Sequence, residues 1–328
     1  MKIAIVILNW NGQQLLEQFL PSVVTHSAEA DIYVADNAST DDSLGFIQKN
    51  FPEVRCIRNN ENGGYAKGYN DALKHVDADV FCLLNSDVEV TSDWLNAIKK
   101  EYTTCPNTAI IQPKILDFKN KTHFEYAGAA GGFVDKYGYA YCRGRIFDTI
   151  EADHGQYNAT APIFWASGAC FFITKSVFEK LGGFDERYFA HYEEIDLCWR
   201  AFNEGFITKS VGQSSVYHLG GATLNNMHPK KTFLNFRNSL FTLTKNAKGP
   251  LFQLIVTRLI LDGIAGLQFL WQFKFSHFIA ILRAHFSFYS HLTYLLKQRK
   301  GLLQRDNYYK TTSIVWAYFI KKRKTFNC

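Results

Sequence analysis

Short apolar runs alternate with amphipathic segments along the first half of the chain. Runs rich in β-branched residues predict strands at Ile3–Leu8, Asp31–Asp36, Val54–Arg58, Val80–Leu84, Ala109–Lys114 and, later, Ile163–Ile173. Apolar residues at helical spacing predict helices between them at Gln13–Thr25, Asp42–Asn50, Gly68–Val76 and Ser92–Tyr102. This alternation predicts an α/β fold, in which a mostly parallel sheet carries helices on both faces.

Polar residues and glycines follow four of the predicted strands. These segments are Asn-Trp-Asn-Gly at 9–12, Asp-Asn-Ala-Ser-Thr-Asp at 36–41, Asn-Asn-Glu-Asn-Gly-Gly at 59–64 and Asn-Ser-Asp at 85–87. Ligands of open α/β sheets bind beyond the carboxyl ends of the strands, so one pocket for a nucleotide is expected there. The first segment has no GxGxxG sequence, which argues against a Rossmann dehydrogenase.

Two carboxylates in these segments are candidates for ligand contacts. Asp87 directly follows a buried strand and could hold a hard divalent cation, although a turn or helix cap is the alternative. Asp36 could accept hydrogen bonds from a nucleobase or a ribose. The glycine-rich segment 63–68 lacks the Gly-Lys-Ser/Thr of a P-loop, and it is interpreted as backbone near the ribose or phosphates, or as a flexible turn.

A later acidic segment is a candidate for acid–base chemistry. Glu193, Glu194 and Asp196 place three carboxylates in four residues, so repulsion should raise the pKa of at least one. One of them could act as general base for an acceptor hydroxyl. The alternative is acidic charge that favours a helix N-terminus. His218 is a candidate second ligand for a manganese-like ion.

Charge and hydropathy divide the chain near residue 240. Residues 228–328 have 17 Lys and Arg residues against two Asp, whereas residues 1–227 have 19 against 28 acidic residues. The apolar, aromatic region 251–294 is interrupted by Arg258, Asp262, Lys274 and Arg283, so its uncharged stretches, such as 263–273, are shorter than the about 20 residues that a spanning helix needs. We therefore expect a domain at 1–240 and, at 241–328, basic amphipathic helices on a membrane surface. The alternative is a helical packing region with a solvated basic face; no nucleic-acid-binding module is recognisable.

The cysteines and the N-terminus indicate a cytoplasmic protein. Seven cysteines form no CxxC pattern and several lie in apolar runs, which favours reduced thiols. The first apolar run is only six residues long, so it is predicted as a strand and not as a secretory signal.

Taken in order, these motifs resemble inverting glycosyltransferase family 2, which has the GT-A type of Rossmann-like fold, and in particular its rhamnosyltransferase-like members. The similarity covers roughly residues 3–240 and also includes Gly-Gly-Phe-Asp-Glu at 182–186 and Glu-Glu-Ile-Asp-Leu-Cys-Trp-Arg at 193–200. The resemblance implies that Asp36 contacts the base of the nucleotide. It implies that Asp87 ends the metal motif and that His218 completes the metal shell for magnesium or manganese. It places the catalytic base at Glu194.

The expected donor is a nucleoside-diphosphate sugar, such as dTDP-rhamnose or a UDP-sugar. Residues expected to contact it are Asn9, Asn11, Asp36, Asn62, Gly64, Lys67, Asn85 and Ser86. The resemblance implies transfer with inversion to a hydroxyl of a glycan or lipid-linked saccharide, in cell-surface polysaccharide biosynthesis. The protein would then be peripheral at the inner face of the cell membrane.

Two residues depart from the family pattern. Asn85 stands at the first position of the metal motif, and Glu194 stands where an Asp is usual. The additional methylene moves the carboxylate by about 1 Å, so Glu193 or Asp196 are alternatives for the base. Two other functions stay open. A nucleotidyltransferase would need a basic, glycine-rich first loop, which residues 9–14 do not provide, and a non-catalytic, membrane-associated nucleotide-sugar binder would bind donor without turnover.

Overall fold

The computed structural model describes residues 1–220 and 228–326. Its central sheet has a parallel half that agrees with the sequence prediction. Parallel pairing joins β1 to β2 and to β4, and β2 to β3. The strands are β1 Ile3–Asn9, β2 Asp31–Asp36, β3 Arg55–Arg58 and β4 Val80–Asn85. The intervening helices are α1 Gln13–His26, α2 Ser43–Asn50, α3 Gly64–Leu73 and, after β4, α4 Trp94–Thr104.

The other half of the sheet contains antiparallel pairs. Its strands are β5 Val88–Val90, β6 Thr108–Asp117, β11 Ala161–Ile163, β12 Cys170–Thr174 and β13 Ile207–His218. The order across the sheet is β11-β13-β6-β12-β4-β1-β2-β3, with β5 paired to β13. The single strand predicted at Ile163–Ile173 is wrong, because Trp165 leaves the sheet to pair with Gly132 and Ser167 donates its N–H to Gln112.

A second, antiparallel sheet comes from the region rich in glycine and tyrosine. Its strands are β7 Gly132–Val134, β8 Ala140–Cys142, β9 Arg145–Ile146 and β10 Thr149–Ile150. Gly132 is required at its edge, because a Cβ there would lie 1.9 Å from the ring of Trp165.

Both faces of the central sheet are buried. Along β1, Ala4 and Val6 belong to one apolar core, while Ile5 and Ile7 belong to the other. A strand buried on both faces needs a continuous apolar run, which explains the pattern that predicted β1. Helices α5 Lys175–Lys180 and α6 Glu193–Asn203 complete this part of the fold.

The C-terminal region is helical and packs back on the rest of the chain. Its helices are α7 Pro229–Asn246, α8 Leu251–Trp271, α9 Phe275–Gly301 and α10 Ile314–Phe319. The predicted boundary at residue 240 falls inside α7. Near the C-terminus, the N–H of Ile314 donates to Asp135 and that of Phe326 to Glu151, which ties this region to the second sheet.

Helix α8 differs from the sequence expectation. It is long and apolar enough to cross a membrane, by length and composition. The length of uncharged sequence did not predict such a helix, because Arg258 and Asp262 interrupt the apolar residues of α8. These two residues pair with each other and are buried. Six cysteines are free thiols, as predicted, and Cys328 lies outside the described residues.

Candidate active site

Asp36 lies at the end of β2 and joins the first two strand-end loops. Its Oδ1 accepts hydrogen bonds from Nδ2 of Asn9 (3.0 Å) and from Oγ of Ser39 (2.5 Å). Its Oδ2 accepts the N–H of Ser39 at 2.9 Å. Asn11, whose φ is 49°, donates its N–H to Oγ of Ser39 and accepts the N–H of Thr40. Asp36 is only 2% exposed, and through these hydrogen bonds it holds the two loops together.

The glycine-rich segment opens α3 and packs against a distant part of the chain. Gly64 has φ 74°, and a Cβ there would lie 2.4 Å from the carbonyl oxygen of Phe189. Tyr65 donates its N–H to that carbonyl at 2.8 Å and its hydroxyl to the carbonyl of Gly168 at 2.8 Å. Asn62 accepts the N–H of Gly64 at 3.1 Å. Packing against Phe189 is therefore sufficient reason for glycine at position 64.

Three further residues that the sequence predicts to contact the sugar-nucleotide donor lie around the same edge of the sheet. Lys67 forms ion pairs with Asp71 and with Glu61 (3.6 Å), so a phosphate would compete with two carboxylates for it. Asn85 ends β4, is half-buried and donates its N–H to the carbonyl of Ala169 at 2.9 Å. Ser86 follows it, and its Oγ lies 3.8 Å from the position of a Cβ built on residue 12.

Asp87 and His218 meet as predicted from the sequence, although they are 131 residues apart. Strands β5 and β13 pair through Val88 and His218, which places Oδ1 of Asp87 3.1 Å from Nε2 of His218. On the other side of the ring, Oε2 of Glu125 lies 3.4 Å from Nδ1. All three side chains are buried. Sequence reasoning missed Glu125, because it lies in an irregular segment with no motif around it.

The two carboxylates set the charge of this imidazole. Burial by itself lowers the pKa of His218, but Glu125 and Asp87 together raise it to about 10. Without a metal ion, the proton on Nε2 therefore supplies the positive charge between the two acids.

Oδ1 of Asp87 and Nε2 of His218 could be neighbouring ligands of a hard divalent cation. Among residues 1–220 and 228–326, no group of three or more His, Cys, Asp or Glu side chains is arranged to hold a metal. Adjacent ligands of an octahedral ion lie about 3 Å apart when the bonds are about 2.1 Å long. The 3.1 Å separation of the Asp87 and His218 atoms agrees with that edge. Asp87 and His218 could therefore serve as two protein ligands of a divalent cation.

Glu193 and Glu194 begin α6, and both have perturbed acidities. Burial raises the pKa of Glu194 to about 7, although backbone N–H groups, including that of Gly168, bond its carboxylate and limit the rise. Burial, with the charge of Glu194, raises the pKa of Glu193 well above its ordinary value. In the described part of the chain, Oε2 of each residue is buried without a hydrogen-bond partner. This pair can exchange a proton near neutral pH.

Asp196 has a different environment from its two neighbours. Its side chain is fully buried and accepts hydrogen bonds from Nε of Arg200 (2.8 Å), Nδ2 of Asn246 (2.8 Å) and the hydroxyl of Tyr188 (3.3 Å). Nζ of Lys245 lies 3.0 Å away. Burial opposes ionisation, but Lys245 and Arg200 lower the pKa of Asp196 to about 2. A carboxylate that is ionised at neutral pH and held by these partners anchors α6 to α7.

The segment that precedes Glu193 adopts unusual backbone conformations. Phe189, His191 and Tyr192 all have φ between 62° and 71°. Nδ2 of Asn238 on α7 lies 2.7–3.1 Å from the carbonyl oxygens of Tyr188, Ala190 and His191. Non-glycine residues with positive φ persist only where surrounding contacts hold them. Asn238 supplies those contacts, and it lies on α7, the helix that crosses the predicted domain boundary at residue 240.

Solved structures identify the class of fold. The chain resembles GalNAc-T7 with UDP, GalNAc and Mn²⁺, with a TM-score of 0.57 and 16% identity over 75% of this chain and 48% of that one. It also resembles the mannosyltransferase PcManGT of Pyrobaculum calidifontis in complex with GDP-Man and Mn²⁺, with a TM-score of 0.55 and 13% identity over 88% and 86%. The GT-A fold expected from the sequence is therefore confirmed.

The sequence comparisons identify the family. Residues 4–182 match the family model for glycosyl transferase family 2, and the chain belongs to that family. It is 26% identical to the low-salt glycan biosynthesis hexosyltransferase Agl10 of Haloferax volcanii, over 65% of either chain. It is also 26% identical to an N-acetylglucosaminyl-diphospho-decaprenol L-rhamnosyltransferase of Mycobacterium tuberculosis, over 65% of this chain and 75% of that one. The chain thus spans slightly less than two thirds of Agl10 and about half of GalNAc-T7.

Proposed function

We propose that the protein transfers a sugar from a nucleoside-diphosphate donor to an acceptor hydroxyl, with inversion at the anomeric carbon. The observation that carries this proposal is that residues 168 and 169 link the end of β4, which precedes Asp87, to Glu194, whose pKa is about 7. Asn85, two residues before Asp87, bonds the carbonyl of Ala169, and the neighbouring Gly168 donates to Glu194. The charged leaving group and the nucleophile would therefore be handled at one edge of the sheet.

Glu194 is the proposed general base. A pKa of about 7 keeps a useful fraction ionised at neutral pH and gives a driving force for accepting a proton. Glu194 takes the proton of the acceptor hydroxyl as that oxygen bonds to the anomeric carbon. The bond from that carbon to the diphosphate oxygen breaks on the opposite face, and the diphosphate leaves with the electron pair. The pKa of Glu193 is also raised, which favours its protonated form and limits charge repulsion at Glu194.

Asp87 and His218 would hold the divalent cation, magnesium or manganese. Such a cation neutralises charge on a departing diphosphate. Glu125 is proposed to orient His218, because a carboxylate at Nδ1 fixes the tautomer that presents the lone pair of Nε2 to a metal. A metal complex would then replace the proton that lies between His218 and Asp87 in the metal-free protein.

The relatives support a narrower proposal for the substrates. A dTDP-rhamnosyl transferase, RfbF of Shigella flexneri, is 22% identical over 74% of this chain and 83% of its own length. We therefore propose dTDP-rhamnose as the first donor to test, with UDP-sugars next, and a lipid-linked saccharide as acceptor. This activity would serve cell-surface polysaccharide biosynthesis, with the protein peripheral at the inner face of the cell membrane.

The test is nucleoside-diphosphate release from a panel of sugar nucleotides, with and without manganese or magnesium and with a lipid-linked saccharide pool. Wild type, Asp87→Ala and Glu194→Gln are compared, with donor binding measured separately by calorimetry. The proposal expects metal-dependent release that falls at least about tenfold in both variants. Donor binding with no release by wild type from any acceptor would instead support a non-catalytic sugar-nucleotide binder. NMR of the product checks inversion of the anomeric configuration.

A further inference from the structure

Helices α8 and α9 form a hairpin whose outer surface is strongly apolar. On α8, the residues at successive spacings of three or four are exposed: Phe252, Val256, Ile260, Ile264, Leu267 and Trp271. This spacing keeps all six on one side of the helix. The side is as long as the helix itself, about 31 Å at 1.5 Å per residue.

Helix α9 carries a second stripe of the same kind. Phe275, Ile279, Leu282, Phe286 and Tyr289 are exposed at alternating spacings of four and three. Only residues 272–274 join the two helices, and a Cβ at Gly266 of α8 would lie 3.2 Å from the ring of Phe278 on α9, so the helices are in close contact. An apolar surface of this extent is unusual for a soluble monomer and marks an interaction site.

The opposite side of α8 is fixed to the protein by charged groups. Arg258 and Asp262 pair at 2.8 Å and are buried. The guanidinium of Arg258 donates to Oγ of Ser239 (2.6 Å), and the hydroxyl of Tyr139 donates to Asp262 (2.7 Å). A transmembrane position for α8 would move this pair into hydrocarbon without those partners, which is strongly unfavourable. Length and composition alone therefore overstate the case for a spanning helix.

Charge indicates what covers the apolar surface. Between residues 228 and 305 the sequence has a single acidic residue, Asp262, and that residue is buried. The tip of the hairpin places Lys274 among Trp271, Phe273 and Phe275, which are 86%, 81% and 57% exposed. Aromatic and basic side chains together are typical of the membrane interface. A second copy of the chain would bring like charges together, whereas an anionic lipid surface complements them.

We propose that the α8–α9 hairpin inserts its outer apolar side and its aromatic tip into one leaflet of an anionic bilayer, without crossing it. The proposal deepens the peripheral location suggested above, but it does not depend on the transfer chemistry. Its test contains no sugar nucleotide, so its failure and that of the proposed transferase are distinguishable.

The test measures binding of the full chain to vesicles of phosphatidylcholine, with and without phosphatidylglycerol. We expect binding that requires the anionic lipid and that falls at least about tenfold in the triple variant Trp271→Ala, Phe273→Ala, Phe275→Ala. The matched control, Ile150→Ala with Ile207→Ala, removes exposed apolar side chains outside the hairpin and should bind as wild type does. A far-UV circular dichroism spectrum and a urea unfolding midpoint equal to those of wild type would show that the triple variant is folded.

The depth of α8 is measured with brominated lipids that quench tryptophan fluorescence. The reporter is the double variant Ile264→Trp, Trp271→Phe, and the single variant Trp271→Phe gives the background fluorescence. Shallow bromines should quench position 264 more than deep ones if α8 lies in one leaflet. Stronger quenching by deep bromines would overturn the one-leaflet arrangement in favour of a span. The proposal would be overturned if wild type did not bind anionic vesicles. If wild type were in addition a dimer and the triple variant a monomer, the apolar surface would be assigned to a second copy of the chain.

Discussion

The donor side of the candidate active site, at the loops around Asp36, and its base side, at Glu193 and Glu194, differ in how their carboxylates are paired. On the donor side, three N–H or O–H groups donate to the carboxylate of Asp36 within 3.0 Å, although Oδ1 of Asn9 is buried without a partner in the described residues and Asn11 has positive φ. On the base side, Glu193 and Glu194 each have a buried oxygen without a partner in the described residues, after a segment with positive φ. Satisfied hydrogen bonds stabilise a fold, whereas buried unpaired acids cost stability and raise pKa values. The difference is that the carboxylate of Asp36 is held by hydrogen bonds, whereas those of Glu193 and Glu194 keep an oxygen that can accept a proton.

The largest expected effect is that of Glu194→Gln, which tests the base side directly. Loss of a general base should lower turnover by about 10²–10⁴-fold and leave donor binding unchanged. Glu179→Gln, an exposed carboxylate on α5, is the control. If Glu193→Gln abolishes turnover and Glu194→Gln does not, Glu193 is the base and the assignment of the pair must be reversed.

The same carboxylate should make stability depend on pH. Burial raises the folded pKa of Glu194 to about 7, above its ordinary 4.5, so the folded state binds the extra proton between these values. Glu194 alone should therefore lower the free energy of unfolding by up to about 3 kcal/mol as pH rises from about 4.5 to 7. Glu193 and His218, whose pKa values are also raised, add falls of their own between pH 5 and pH 8, so Glu194→Gln should make the fall smaller by about that amount without abolishing it. Urea unfolding at pH 5 and pH 8 measures both. An equal fall in wild type and variant would mean that Glu194 is not buried as described.

Glu125→Leu tests how the cation site depends on its outer carboxylate. Loss of the partner at Nδ1 of His218 should weaken manganese-dependent nucleotide binding by about 10–100-fold. Calorimetry with nucleoside diphosphate and manganese measures this without turnover. Glu89→Gln is the control, since Glu89 lies on β5 close to Asp87 in sequence but pairs with Lys121. Equal affinity in Glu125→Leu and wild type would leave Glu125 with no role at the site.

Gly64→Ala tests the contact that joins the two sides. Both Gly64 and Gly182 have φ near 74°, but a Cβ at 182 meets nothing within 4 Å, whereas a Cβ at 64 meets Phe189. Gly182→Ala should cost about 1 kcal/mol for backbone conformation alone. Gly64→Ala should cost about 1–3 kcal/mol more, because Phe189 must move. Urea unfolding compares the two variants, and equal losses of stability would show that position 64 tolerates a side chain.

Sequence reasoning predicted the parallel half of the sheet well for a definable reason. Strands such as β1 and β4 are short apolar runs buried on both faces, and the residues that follow each strand meet at one edge by the geometry of a parallel sheet. It also brought Asp87 and His218 together, but through the family resemblance and not through their spacing. The separate strands β11 and β12 were predicted as one, because an apolar run does not reveal that Trp165 pairs outside the sheet.

The sequence by itself determined the α/β alternation, the family motifs, and the apolar, basic character of the C-terminal region. Tertiary structure alone decided which carboxylate of α6 is paired with cations, because Lys245 and Arg200 reach Asp196 and not its neighbours. It also decided that Glu125 meets His218, and that the charges of α8 point inward while its apolar side points outward. Local pattern encodes secondary structure, whereas pKa values and exposed surfaces depend on residues far apart in the chain.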